Sequence, residues 1–332
     1  MNNKTIRVVQ YGLGPIGSAT ARHVMEREGM ELVGGVDIDQ AKTGRDVGEV
    51  IGLGSPVGFP VVKDLSRVRE KTGADVVLHT TGSFFDFFES QIVEILDAGL
   101  DIVSTSEELS FPWLAHRGAA VRIDAAARQA GKTVLGTGVN PGFLMDSLPL
   151  NLTAICQRVD RIDVTRRMNA SLRRGPFQAK IGSGMTVEDF NSKMKTGRMG
   201  HVGLPESMGM VFSTLGKSMV KYESTVEPIV ADAPVKTDYF EIQPGQVRGL
   251  KQVARAYTGE GEFMTLTFIA ALNEKEDGDT ILITGKPDLE VRLKGTNGDI
   301  ATVAIAVNAV RRVFEALPGL VTMRDLPIVT IW

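Results

Sequence analysis

The sequence carries one cysteine, Cys156, in 332 residues. A single thiol closes no internal disulfide framework and builds no cysteine-rich metal site. The four histidines, His23, His79, His116 and His201, stand isolated, and no metal site is apparent. Basic charge is not in excess. The 37 Lys and Arg face 40 Asp and Glu, a net charge of −3, which excludes a strongly basic, electrostatically driven nucleic-acid binder. No apolar run approaches the ~20 residues of a membrane helix. The opening MNNKTIRVVQYGLG has no apolar signal core. The expectation is a cytoplasmic protein with no nucleic-acid or membrane partner. Internal repeats and low-complexity linkers are also absent. What remains is an ordinary globular composition, 43% hydrophobic and 23% charged. The length implies about two domains at roughly 150 residues each.

Within that composition the first half alternates. Short β-branched runs at 6–11, 31–37, 75–80, 100–105 and from 133 are separated by helical stretches at 18–28, 91–98 and 115–130. Such alternation implies parallel strands joined by right-handed crossovers. Residues 1–150 are therefore expected to form an α/β unit, a Rossmann doubly wound parallel sheet. Beyond 150, strand patterns dominate at 161–170, 220–231, 246–257, 263–271 and 288–294, with helical stretches at 186–198 and 205–215. This predicts a second, α+β domain over 151–295 with a mixed or antiparallel sheet. A long helix at 296–317, stopped by Pro318-Gly319, opens a segment 296–332 expected to return to the first domain.

Gly12-Leu13-Gly14-Pro15-Ile16-Gly17 follows the first strand and opens the first helix. In that context the GxGxxG spacing is a dinucleotide-binding signal. Gly12 permits the tight turn, Gly14 lets the backbone approach a pyrophosphate, and Gly17 lets helix pack on strand. Pro15 and Ile16 start the helix, where a proline has no N–H to satisfy. Asp37 ends the second strand, twenty positions past the last glycine, and a carboxylate there binds the ribose hydroxyls of NAD. Lys42 and Arg45 follow closely and can reach a 2′-phosphate, so NAD, NADP or both are expected as cofactors. Thr80 and Thr81 end the next clear strand and should border the cofactor. His79, inside that apolar run, reads as a packed strand histidine rather than an acid or base.

Two further segments end later strands of this sheet: Ser104 to Trp113 and Gly136 to Asp146. With extended backbone, Glu107 and Glu108 point to opposite sides, and one of them enters the cleft. A carboxylate partly buried by Phe111 and Trp113 can exchange protons there. The competing role for both glutamates is to cap the next helix. Asn140-Pro141-Gly142 is a turn by composition, and Asn140 can orient a substrate or the nicotinamide amide.

The segments VVQYGLGPIG, GVDID, STSEELSFPW, GTGVNPGFLMD, GHVGLPES and GDIATVAIAVNAV together resemble the 2,4-diaminopentanoate dehydrogenases and the related native amine dehydrogenases. These are similar in turn to dihydrodipicolinate reductase. The resemblance runs from Ile6 to Pro327. It implies a homodimeric NAD(P)-dependent oxidoreductase. Such an enzyme oxidises a primary amine to a ketone and ammonia, and in reverse aminates a ketone or aldehyde reductively. The substrate is either 2,4-diaminopentanoate or a simple aliphatic amine. The family's catalytic glutamate of the EEL segment carries over to Glu108, with Glu107 as second choice. Its NPG asparagine carries over to Asn140, beside nicotinamide and substrate. Phe143, Leu144 and Met145 are expected to line an apolar pocket. Met168, Arg173, Phe177 and His201 are candidates to close it, with core packing or a solvated surface equally open for each. The His-His-x-x-Lys catalytic segment of dihydrodipicolinate reductase has no counterpart. Two other readings stay open: another reductase of the same fold, acting on a cyclic imine or semialdehyde, and a non-catalytic NAD(P)-binding sensor.

Overall fold

The computed structural model describes residues 4–66, 68, 72–195 and 199–332. They fall into two compact units, Met1–Ser147 with Asn297–Trp332, and Leu148–Thr296. Among the described residues no helix is long and apolar enough to cross a membrane.

The first unit is built on seven strands: β1 (Ile6–Tyr11), β2 (Met30–Val36), β3 (Val61–Val62), β4 (Val76–His79), β5 (Asp101–Ser104), β6 (Thr133–Gly136) and, after the second unit, β15 (Gly319–Val321). Their order across the sheet is β15-β6-β5-β4-β1-β2-β3, parallel throughout. The alternating direction of strand side chains explains how both faces become cores. Val9, Val77, Ile102 and Val134 point to one face, their neighbours Val8, Val76, Val103 and Leu135 to the other. The first face is covered by α3 (Phe85–Asp97) and α4 (Arg117–Ala130), the second by α1 (Pro15–Met25) and α9 (Gly298–Phe314). A short α2 (Val47–Val50), capped by the Asp46 carboxylate, lies between β2 and β3. Gly131 ends α4 in the left-handed conformation, and Asn297 caps α9 through the N–H groups of Asp299 and Ile300.

Some boundaries differ from the sequence reading. Helix α3 starts six residues before the expected 91, because Phe85, Phe88, Ile92, Ile95 and Leu96 form one continuous buried stripe. Strand β15 was not anticipated; three residues are too few for a readable period. The segment from 297 onward belongs to the first unit, supplying both α9 and β15.

The second unit contains a six-stranded mixed sheet. Its strands are β7 (Arg158–Asn169), β8 (Lys221–Val230), β11 (Val247–Thr258), β12 (Gly261–Ala271), β13 (Gly278–Lys286) and β14 (Leu289–Leu293), in the order β14-β13-β7-β12-β11-β8. Only β7 and β12 pair parallel; the other neighbours are antiparallel. Burial alternates along β7, with Ile162, Val164, Arg166 and Met168 on the inner face. Strand β13 went unpredicted, and it is the strand that pairs β7 with β14. β9 (Val235–Lys236) and β10 (Glu241–Ile242) make a separate small ribbon. The helices are α5 (Ser147–Thr153), α6 (Gly175–Lys180), α7 (Val187–Met194) and α8 (Leu204–Thr214). The end of the expected 186–198 helix, residues 196–198, lies outside the described residues.

Candidate active site

The order of the parallel sheet reverses between β1 and β4, and ligands of such sheets lie beyond the strand ends at that point. The glycine loop sits there. Gly12 has φ +88°, and a Cβ on it would lie 2.7 Å from the Thr80 carbonyl oxygen. A Cβ on Gly17 would lie 1.8 Å from the Gly12 oxygen, so helix α1 can approach the strand only with glycine. A Cβ on Gly14 would meet nothing within 4 Å. That glycine faces open space at a helix N-terminus that no side chain caps. The arrangement fits a pyrophosphate drawn to N–H groups and the helix dipole. Pro15 and Ile16 border an apolar pocket of about 250 Å³ whose other wall is Ile300, Val303 and Ala304 of α9.

Asp37 is tied to this loop. Its carboxylate accepts the Leu13 N–H at 2.8 Å, the Asp39 N–H at 2.9 Å and the Lys42 ammonium at 2.9 Å. Burial works to raise the Asp37 carboxyl, but the hydrogen bonds from Asp39, Lys42 and Leu13 outweigh it and hold the group below the usual carboxylate range. Lys42 thus pairs with the acid that directly follows β2. Arg45 lies apart, 3.9 Å from Glu49 and half exposed.

Thr80 and Thr81 border the glycine loop, with both hydroxyls engaged by the protein. Thr80 donates to the Gly12 carbonyl at 2.9 Å, and Thr81 lies 2.6 Å from Gln91 Oε1. His79 is fully buried. Its Nδ1 lies 2.8 Å from Ser104 Oγ and its Nε2 2.8 Å from Gln91 Oε1. Burial pushes its pKa down to about 4. It is a neutral, packed strand histidine.

The EEL segment corrects an expectation. Glu107–Leu109 is a 3-10 turn, not extended backbone, so the two glutamates are not on opposite sides of a strand. The turn lies across the end of β6: a Cβ on Gly136 would come within 2.4–2.6 Å of the Leu109 and Ser110 backbone. Glu108 caps a helix, but the preceding one rather than the next. Its Oε2 accepts the Phe85 N–H at 2.6 Å, at the start of α3, and lies 3.3 Å from His116 Nε2. The Glu108 side chain is 17% exposed.

The Asn140–Gly142 turn faces the same sheet edge and contains a cis Asn140–Pro141 bond. The Asp146 carboxylate staples it, accepting the Gly142 N–H at 2.8 Å. Ser147 donates to the Gly142 carbonyl at 2.7 Å. Around these two turns lie buried polar groups without protein partners among the described residues. They are both side-chain amide atoms of Asn140, the Thr137 hydroxyl and the Ser106 hydroxyl, on residues 7%, 2% and 1% exposed. Buried polar atoms are nearly always paired. These fit the carboxamide of a nicotinamide and the polar end of a substrate. Phe143 is half-buried, whereas Leu144 and Met145 are packed away from solvent.

In the second unit, Met168, Arg173 and Phe177 form one cluster. Arg173 Nη1 lies 3.1 Å from Met168 Sδ, and its guanidinium stands 4.4 Å from the Phe177 ring centroid. His201 stacks at 4.7 Å on Phe268, the strand partner of Arg166, and its backbone N–H donates to Gln252.

Residues 143–332 match the 2,4-diaminopentanoate dehydrogenase C-terminal domain, and residues 6–91 match the N-terminus of dihydrodipicolinate reductase. The chain is 33% identical to 2,4-diaminopentanoate dehydrogenase of Acetoanaerobium sticklandii, over 97% of this chain and 94% of that one. The chain belongs to the 2,4-diaminopentanoate dehydrogenase family. It is also 24% identical to an amine dehydrogenase of Streptomyces virginiae, over 97% of this chain and 96% of the other. The solved amine dehydrogenase of Mycobacterium smegmatis shares the fold, with a TM-score of 0.87 and 24% identity over 98% of this chain and 97% of that one. A member of this family is an NAD(P)-dependent oxidoreductase acting on CH–NH2 donors.

Four residues beside these turns escaped the sequence reading. Ser106 and Thr137 lie inside the quoted segments, but only burial without a partner singles them out. Asp146 and His116 act through contacts that spacing does not reveal.

Proposed function

We propose that this dehydrogenase oxidises a small primary amine, 2,4-diaminopentanoate or a simple aliphatic amine, and runs reductive amination in reverse. One observation carries the reading. The Glu107–Leu109 turn is laid across the ends of β5 and β6, beside the unpartnered buried groups of Ser106, Thr137 and Asn140. Glu108 is the proposed catalytic carboxylate and Glu107 the second candidate. The Phe85 N–H anchors Glu108 at Oε2, which supports a role for Oε1 toward the amine. That oxygen takes a proton from the substrate ammonium and stabilises the cationic iminium that follows. Asn140 orients the nicotinamide amide and the substrate, with Thr137 and Ser106 completing the polar edge. Gly12, Gly14 and Gly17 hold the pyrophosphate, and Asp37 with Lys42 the adenosine ribose. The nicotinamide, when bound, accepts the hydride in the oxidative direction and returns it in the reductive one. The protein acts in the cytoplasm as a homodimer.

The test is NADH and NADPH oxidation with cyclohexanone, a short aliphatic aldehyde and 2-amino-4-oxopentanoate, with and without high ammonium at alkaline pH. Ammonium-dependent turnover is expected, and the best substrate shows whether a carboxylate is recognised. Turnover independent of ammonium overturns the amine reading. Cofactor binding without any turnover favours a sensor.

A further inference from the structure

We propose that His116 is a positioning residue that holds the Glu108 carboxylate in place for the amine. The inference rests on the reading above, in which Glu108 faces the amine. His116 Nε2 lies 3.3 Å from Glu108 Oε2, the same oxygen that accepts the Phe85 N–H at 2.6 Å. The imidazole also stacks on the Phe85 ring, with centroids 4.6 Å apart and planes 26° from parallel. The ring is thus braced against the residue whose backbone anchors the carboxylate. Its own backbone is fixed at the entry of α4, donating to the Pro112 carbonyl at 2.9 Å and accepting from Ala120 at 2.9 Å. The His116 side chain is 32% exposed and Glu108 17%, so the imidazole connects the carboxylate to solvent.

One oxygen of the carboxylate is thus bounded on two sides. The Phe85 N–H donates to Oε2 and the His116 ring stands 3.3 Å from the same atom, which leaves Oε1 as the oxygen turned to the amine. Each oxidative turnover of an ammonium substrate with NAD⁺ and water yields ketone, NH4⁺, NADH and one proton, so the carboxylate that accepts substrate protons has to be held where the amine arrives.

The experiment compares wild type, His116→Gln, His116→Phe and Glu108→Gln by kcat and KM for amine oxidation and by NADH affinity from fluorescence. His116→Gln keeps a polar side chain beside Oε2 and should retain kcat within about threefold. His116→Phe should lose roughly tenfold in kcat with NADH affinity unchanged. His116→Phe that keeps the wild-type kcat, with Glu108→Gln inactive, overturns this inference alone, as does an equal loss in the glutamine and phenylalanine variants. Glu108→Gln that retains turnover overturns the assignment of Glu108 and the inference with it. Should His116→Phe fail to fold, His116→Leu takes its place with the same expected loss.

Discussion

The buried His79 makes a quantitative prediction about acid stability. Burial pushes its pKa from an ordinary 6.5 to about 4, against a smaller upward pull from Gln91. The folded state thus binds this proton less readily than the unfolded state. The stability tied to the neutral ring is complete above about pH 6.5 and is lost as the pH falls toward 4. A separation of about 2.5 pH units is about 3 kcal/mol at 1.36 kcal/mol each, of which about 2 kcal/mol is gone by pH 5. The perturbation is His79→Gln, which removes the titration and keeps a polar side chain between Ser104 and Gln91. The variant pays a pH-independent penalty of about 1–3 kcal/mol for imperfect hydrogen bonds. Urea unfolding of both proteins at pH 7, 6 and 5 gives the difference between them. Other titrating groups, such as Asp101 and Asp279, both raised mainly by burial, cancel in that difference. The gap between wild type and variant should narrow by about 2 kcal/mol from pH 7 to pH 5. Parallel stability curves would refute a neutral, desolvated His79.

Three further outcomes are expected. Asn140→Ala removes two buried polar atoms that have no protein partner, so melting should show stability unchanged or raised by about 1 kcal/mol, while turnover falls at least tenfold by rough order of magnitude; loss of stability instead would mean the amide serves the fold. Lys42→Ala leaves Asp37 uncompensated, so NADPH affinity should fall roughly tenfold while NADH affinity changes little; fluorescence titration with equal losses for both would exclude a role at the 2′-phosphate. Gly136→Ala drives a methyl into the Leu109 backbone, costing about 1–3 kcal/mol and displacing the EEL turn; an unchanged melting temperature together with full turnover would contradict the packing.

The parts of this molecule that were legible in the sequence are those where one residue answers to a local constraint. Gly12, Gly14 and Gly17 could be assigned separate tasks because a turn, a phosphate approach and a close helix each restrict the backbone differently. Strands β1, β2, β4, β5 and β6 of the first unit were readable as β-branched runs, since burial on both faces leaves little room for polar residues, whereas β3 and β15 are too short to show one. Contacts between distant residues were not legible. Glu108 reaches Phe85, 23 positions earlier, and this converts a helix-capping role and a proposed catalytic role from alternatives into one arrangement. The shape of the EEL turn was also hidden, because nothing in the three letters distinguishes a 3-10 turn from a strand end. Strand β13 was obscured by the polar 273–279 stretch before it. Leu144 and Met145 were apolar and near the site, but apolarity does not separate a pocket wall from the core.

The first unit takes its outermost strand and one covering helix from residues 297–332, after the whole second unit has passed. During synthesis, β6 therefore emerges with an open edge, and Val76, Leu78, Val103 and Leu135 emerge without α9 to cover them. That condition lasts while roughly 150 residues are added, on the order of ten to thirty seconds at about 5–20 residues per second. An uncovered apolar face beside an unpaired strand edge invites association with other chains. A fragment ending at Ser147 inherits the same open edge and uncovered face permanently. The part of the chain made first is the part completed last.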